Sequence, residues 1–196
     1  MSNYVIYIDN DNIKFSKYEK IIYNLFSNFN RTTKIFLNEN DLINLNNVIK
    51  LKYNIYMCNS PVKSKNSADI SLVIECMKDL YTNKYDKFII ISNDTDFIPL
   101  CKEIRSNNKK CILCYDGNFN TYLNEIYNET YNLSHLLKIE NDKITKELEK
   151  QKRKEIEKQK QIELQKKEEL EKQKRKEIEK QKQIELQNQL KIKKQN

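Results

Sequence analysis

"FIIISNDTDF" occupies Phe88 to Phe97, and its two halves belong to different chemistry. A short unbroken apolar run stopped by turn-forming residues reads as a strand covered on both faces, the pattern of a parallel sheet. Asp94 and Asp96 then fall just past the strand's carboxyl end, where open α/β sheets place their ligand crevice. Like charges held together cost free energy unless a cation compensates them, so the pair points to a metal or functional site.

The surrounding chain repeats this rhythm. Upstream, "YVIYID" (Tyr4 to Asp9) reads as a strand. "KYEKIIYNLFSNF" follows as a helix with Ile21, Ile22, Leu25 and Phe26 on one stripe, then "TKIFLN" as a strand, "DLINLNNVIKL" as a helix and "YNIYMCN" as a strand ending at Ser60-Pro61. "SADISLVIECMKDLY" carries Ile70, Val73, Ile74, Met77 and Leu80 or Tyr81 at amphipathic-helix spacing, which predicts these as its core face, with Ser67 as N-cap. Downstream, "PLCKEIRSNN" reads as a helix, "KCILCYD" as a strand and "NTYLNEIYNETYNL" as a closing helix. Strands alternating with helices predict βαβ units and a three-layer α/β fold around a parallel sheet of about five strands.

Near Ile139 the composition changes, which predicts one domain over residues 1–139 and a Glu/Lys/Gln-rich segment over 140–196. Through Glu140 there are 17 Lys and Arg against 16 Asp and Glu, and beyond it 19 against 12, so nearly all of the net charge of +8 sits in the tail. Basicity of this kind is the charge of a solvated helix and does not by itself indicate nucleic-acid binding. Residues Glu147–Gln165 recur letter for letter at Glu169–Gln187, an offset of 22. An eleven-residue period supercoils right-handedly if it supercoils at all. The apolar positions are sparse, however, and Ile162 and Leu164 face different sides of a helix. Glu149–Arg153 and Glu171–Arg175 have the favourable i, i+4 order. The prediction is a long charged helix of about 60 to 70 Å, favoured over a coiled-coil dimer and over an RNA-binding arm. A homo-oligomer or a protein partner through this helix is the remaining use for it.

Cys58, Cys76, Cys101, Cys111 and Cys114 each lie in apolar surroundings, as free thiols of a reducing compartment do. "CILC" has the spacing of a metal hook, but on a strand cysteines three apart face opposite sides. No segment approaches the roughly 20 apolar residues of a membrane span, and the amino terminus lacks a signal-peptide pattern. The expectation is a cytoplasmic protein with no membrane partner, in which N-x-S/T matches such as Asn128-Glu129-Thr130 are accidental. The sole glycine, Gly117, excludes a P-loop and a dinucleotide fingerprint. The single histidine, His135, reads as structural.

Carboxylates gather at three places where such a sheet opens: Asp9 and Asp11 with Asn12 after the first strand, Asp69 in the first turn after the third, and Asp94 and Asp96 after the fourth. With the first and fourth strands adjacent, all of them converge on one pocket. Oxygen ligands in that number suit a hard divalent cation, Mg²⁺ or Mn²⁺. An ion there would activate water against a phosphodiester. Each acid also has a plainer reading: Asp69 as a dipole contact and Asp96 as the N-cap of the helix bearing Pro99. Asp9, partly desolvated at a strand end, has none as simple.

"YIDNDNI", "KNSADISLVIECMKDLY" and "IIISNDTDFIPLCKEIR" resemble the three signature segments of the NYN domain, a branch of the PIN-like metal-dependent ribonucleases, in the family's order over roughly Asn3 to Leu137. The resemblance implies a PIN-like fold in which Asp9, Asp69, Asp94 and Asp96 hold Mg²⁺ or Mn²⁺. It further implies that Asn12 and Ser92 orient the pocket, that Lys65 meets a phosphate, and that the substrate is RNA, cut by an endonuclease. Asp11, Asn93 and Glu75 depart from the family's usual residues, which leaves direct or water-mediated contact by Asp11 and Glu75 open. Two other readings compete. One is a non-catalytic RNA- or protein-binding module. The other is a haloacid-dehalogenase-like phosphatase with Asp9 as nucleophile, Asp11 as general acid and Lys65 on the phosphate; Asn12-Ile13 stands where that family usually has Gly-Thr.

Overall fold

The computed structural model describes residues 3–27, 30–58, 67–118 and 121–193. Its strands are β1 (Asn3–Asp9), β2 (Asn30–Leu37), β3 (Asn54–Met57), β4 (Lys87–Ile91), β5 (Lys110–Tyr115) and β6 (Glu129–Asn132). They form one six-stranded sheet in the order β3-β2-β1-β4-β5-β6, parallel throughout. The helices are α1 (Phe15–Leu25), α2 (Glu39–Asn44), α3 (Asn47–Lys52), α4 (Ser67–Tyr81), α5 (Ile98–Ser106), α6 (Leu123–Ile126) and α7 (Leu133–Lys193), with a 3-10 turn at Thr95–Phe97. Chain order reverses between β1 and β4, the switch point at which a doubly wound sheet opens its crevice.

Strand alternation divides the core into two layers. Tyr4, Ile6 and Ile8 of β1 and Ile89 and Ile91 of β4 pack with Phe15, Tyr18 and Ile22 of α1. Val5, Tyr7, Phe88 and Ile90 pack with Leu72 and Cys76 of α4 and Leu100 and Ile104 of α5. Phe88 through Ile91 are all fully buried, each side chain contributing about 1.5–3 kcal/mol. Cys111 lies in one layer and Cys114 in the other, so "CILC" makes no joint metal hook. All five cysteines are free and buried.

Four expectations are corrected. The closing helix over Asn120–Leu133 is instead α6, β6 and the start of α7. The Asn128 side chain and backbone take the first rung beside Cys111, which carries Thr130 and Tyr131 into a sixth strand along β5. The helix over Asp41–Leu51 is split into α2 and α3, because Leu45 turns extended ahead of two asparagines with poor helix propensity.

On α4 the buried residues are Ala68, Leu72, Cys76, Asp79 and Leu80; of the expected face, Leu80 is buried and Val73 and Met77 pack against the core, while Ile70, Ile74 and Tyr81 are exposed. The apolar residues surround this helix, and a polar group decides its rotation. Asp79 is drawn inward, where its Oδ2 accepts from the Tyr7 hydroxyl at 2.5 Å and meets Lys34 Nζ at 2.7 Å. Lys34 is itself buried and also pairs with Glu75 at 3.2 Å. Burial opposes charge on Lys34, but Asp79 and Glu75 more than offset it and hold its pKa above the ordinary lysine value. At the head of α4, Ser67 Oγ donates to the Cys58 carbonyl and ties the helix to the end of β3.

The chain divides into two units, Met1–Asn141 and Asp142–Asn196. In the second, the described side chains are exposed, Ile144, Leu148, Ile156, Ile162 and Leu164 among them. The i, i+4 order of Glu149 and Arg153 predicts an ion pair, but among the described residues the two do not close to salt-bridge distance, the fourth correction. For exposed pairs the side-chain entropy offsets the weak attraction. No described helix is long and apolar enough to cross a membrane.

Candidate functional site

β1 and β4 pair through Ile8 and Ile91, so the next residues, Asp9 and Ser92, stand abreast at the sheet's carboxyl edge. By strand alternation both side chains emerge on the face that α4 covers. Asp9 is 2% exposed and Ser92 fully buried. The Ser92 hydroxyl donates to Asp9 Oδ2 at 2.8 Å and accepts the Asp94 backbone N–H at 3.1 Å, locking the two strand ends together. The Asn12 N–H donates to Asp9 Oδ1 at 3.3 Å, and Asn12 Oδ1 accepts the Asn93 N–H at 3.1 Å. Asn93 Oδ1 in turn accepts the Asp116 N–H at 2.8 Å. Asp94 caps the 3-10 turn, its Oδ1 accepting the Asp96 N–H at 2.9 Å; the cap is Asp94, and α5 starts from Phe97.

Electrostatics bring the separated acids to one place. The Asp69 carboxyl is pushed up to about 6, first by burial and then by the charges of Asp9, Asp94, Asp11 and Asp96. Asp9 is also raised: burial dominates, and the hydrogen bonds from Ser92 and Asn12 oppose it. Among the described residues, none of Asp9, Asp69, Asp94 and Asp96 has a Lys or Arg in salt-bridge contact. Nor, among the described residues, do three acidic, histidine or cysteine side chains close around a point that one ion would fill.

Other residues named from the sequence are placed differently. Glu75 is taken up by Lys34 and Lys78 on the sheet-facing flank of α4, apart from the acid cluster. Asp11 Oδ1 accepts from the Asn38 backbone and side chain at 3.4 and 2.9 Å, which ties the β1 loop to the start of α2. Lys65 lies outside the described residues. His135 is exposed, its N–H donating to Asn132 Oδ1, a cap at the head of α7.

Sequence reading missed the structural roles of three asparagines. Buried Asn10 accepts the Phe15 N–H at 3.0 Å and so caps α1, Asn38 holds Asp11, and Asn93 joins three loops. Each follows a strand within a few residues, where Asx capping is common. In so Asn-rich a chain that signal is diluted.

The family model of the NYN domain matches residues 3–134. The chain belongs to the NYN domain family. NYN domains are a PIN-like nuclease family, and the match covers β1 through the head of α7, including every acid named above. No curated protein matches the chain. Among solved structures, a protein of unknown function from Vibrio parahaemolyticus is similar at 16% identity and a TM-score of 0.50, over 67% of this chain and 93% of that one. That likeness concerns the fold alone.

Proposed function

We propose that this NYN domain is a metal-dependent ribonuclease, acting as an endonuclease on RNA through Mg²⁺ or Mn²⁺ at Asp9, Asp69, Asp94 and Asp96. The observation that carries the reading is that burial and the neighbouring acids raise Asp69 and Asp9 at the sheet's carboxyl edge, with no described cation in salt-bridge contact. Oxygen donors of this kind fit Mg²⁺ or Mn²⁺, which need only one or two direct carboxylates and fill the remaining positions with water. The lack of a closed three-ligand group among the described residues is therefore compatible with that ion. Such an ion supplies charge that polarises a phosphoryl oxygen and lowers the pKa of water. The protein's part is positioning: Ser92 and Asn12 fix both oxygens of Asp9, and the Asn12–Asn93 contact holds the β1 and β4 loops at one spacing. The Lys65 assignment to a substrate phosphate, a cytoplasmic location and pairing through α7 remain part of the same proposal.

The phosphatase alternative needs a free general acid at Asp11, whose carboxylate is instead engaged by Asn38. Incubation with labelled single-stranded RNA tests the proposal. Cleavage is expected with Mn²⁺, none with EDTA, and at least a hundredfold loss on Asp94→Asn. Metal-insensitive retention of uncut RNA would make the domain a binding module, and hydrolysis of a phosphate monoester would make it a phosphatase.

A further inference from the structure

Beside the acids lies a small cleft, partly open to solvent, bounded by residues 92–94 with Leu113, Tyr115, Asn118, Leu123 and Tyr127. It forms where the loop after β4, the end of β5 and α6 meet. Leu113 and Tyr127 are its buried parts, at 3% and 4% exposure. Leu123 and Tyr115 are half-buried against the same core layer, and Asn118 is exposed at the rim. Asp94 itself lines the cleft, so the recess and the acid centre adjoin.

We propose that this cleft seats one base of the RNA strand whose phosphate reaches the acid centre, and that it prefers a single-ring base to a purine. The inference deepens the ribonuclease reading and rests on it for the identity of the strand. Charge argues against a phosphate subsite: among the described residues no Lys or Arg bounds the cleft, and Asp94 repels a second anion. What remains is a recess with Leu113, Leu123, Tyr115 and Tyr127 for the π-face of a base and with Asn93 and Asn118 as amides for its polar edge. Stacking on an aromatic side chain contributes about 1–3 kcal/mol per base. Its cavity volume is about 40 Å³, room for about three water molecules, nearer the size of one ring than of two fused ones. Because Asp94 belongs to both places, the seated base is the one flanking the scissile phosphate.

The test separates this claim from catalysis. The full chain in EDTA is titrated with uridine, cytidine, adenosine and guanosine, followed by NMR shifts of the Leu123 methyls and the Tyr127 ring. Pyrimidine nucleosides are expected to bind about fivefold or more tightly than purine ones. Leu123→Trp, which fills the recess, is expected to abolish the shifts, and Asn118→Ala at the exposed rim to weaken binding at least about threefold. Nucleosides that leave these resonances unmoved, or that bind Leu123→Trp as well as the parent, overturn the proposal; equal purine and pyrimidine affinity overturns its size preference. Asn118→Ala carries the same test should the tryptophan variant not fold. In a second arm, adenosine oligomers with one uridine are incubated with Mn²⁺, and the cut is expected beside the uridine. Base binding without any cleavage sinks the nuclease reading alone, whereas cleavage without base discrimination sinks the cleft.

Discussion

Asp69→Asn is expected to make the metal-free chain more stable and the metal-loaded chain less so. In the fold this carboxyl titrates at about 6, against about 3.9 for a free aspartate. The gap of about two units corresponds to about 3 kcal/mol at full weight. Asp69 is only half-buried, however, and water screens its neighbours, so the working figure is about 1 kcal/mol. Because the folded value lies above the unfolded one, the contribution favours the fold fully below about pH 4 and is lost as pH rises through about 6. At pH 7.5 in EDTA the variant should therefore melt about 2–4 °C above the parent, and the difference should vanish near pH 4. Mn²⁺ reverses the order: at about 100 times its Kd an ion that binds only the folded chain adds about 2.7 kcal/mol, which the variant largely forgoes. Thermal melts at the two pH values, with EDTA and with Mn²⁺, give all four comparisons. A variant no more stable than the parent at pH 7.5 in EDTA refutes the repulsion. A variant that gains as much from Mn²⁺ removes Asp69 from the ion's surroundings.

Ser92→Ala removes the donor to buried Asp9 and should cost about 1–3 kcal/mol by urea unfolding, with Mn²⁺ uptake weakened in calorimetry as Asp9 moves further up. Lys34→Met strands the Asp79 carboxylate and should cost about 3–5 kcal/mol, whereas Lys34→Met with Asp79→Leu should recover most of it; an equally unstable double variant refutes the ion-pair account. A chain ending at Asn141 should fold with an unchanged melting midpoint, since the described side chains beyond it are exposed; a large drop would make the tail part of the fold.

Periodicity was most informative where both faces of an element are buried. Phe88–Ile91 and Tyr4–Ile8 have no competing pattern, and their ends carry Asp94 and Asp9 into the site without further information. On α4 the same logic held for Val73, Met77 and Leu80 and missed Ile70 and Ile74, because apolar residues ring the helix and Asp79 faces inward only through Lys34, a partner 45 positions earlier that no local window contains. β6 was hidden for a related reason: Leu123, Ile126 and Tyr127 fit a helix, and only the open edge of β5 makes Glu129–Asn132 a strand. Asp69 was legible as an acid in a first turn, but its encounter with Asp9 and Asp94 comes from the parallel pairing of β1 with β4. The asparagine contacts depend on loop geometry, which composition does not encode.

α4 is fastened at both ends to different purposes: Asp69 looks out over the crevice, and Asp79, about 15 Å further along at 1.5 Å per residue, is moored inside to Lys34 and Tyr7. The helix thus works as a rigid pointer whose heel is set in the sheet. Damage at the heel should be felt at the tip, so that substitutions touching neither RNA nor ion would still detune the acid centre.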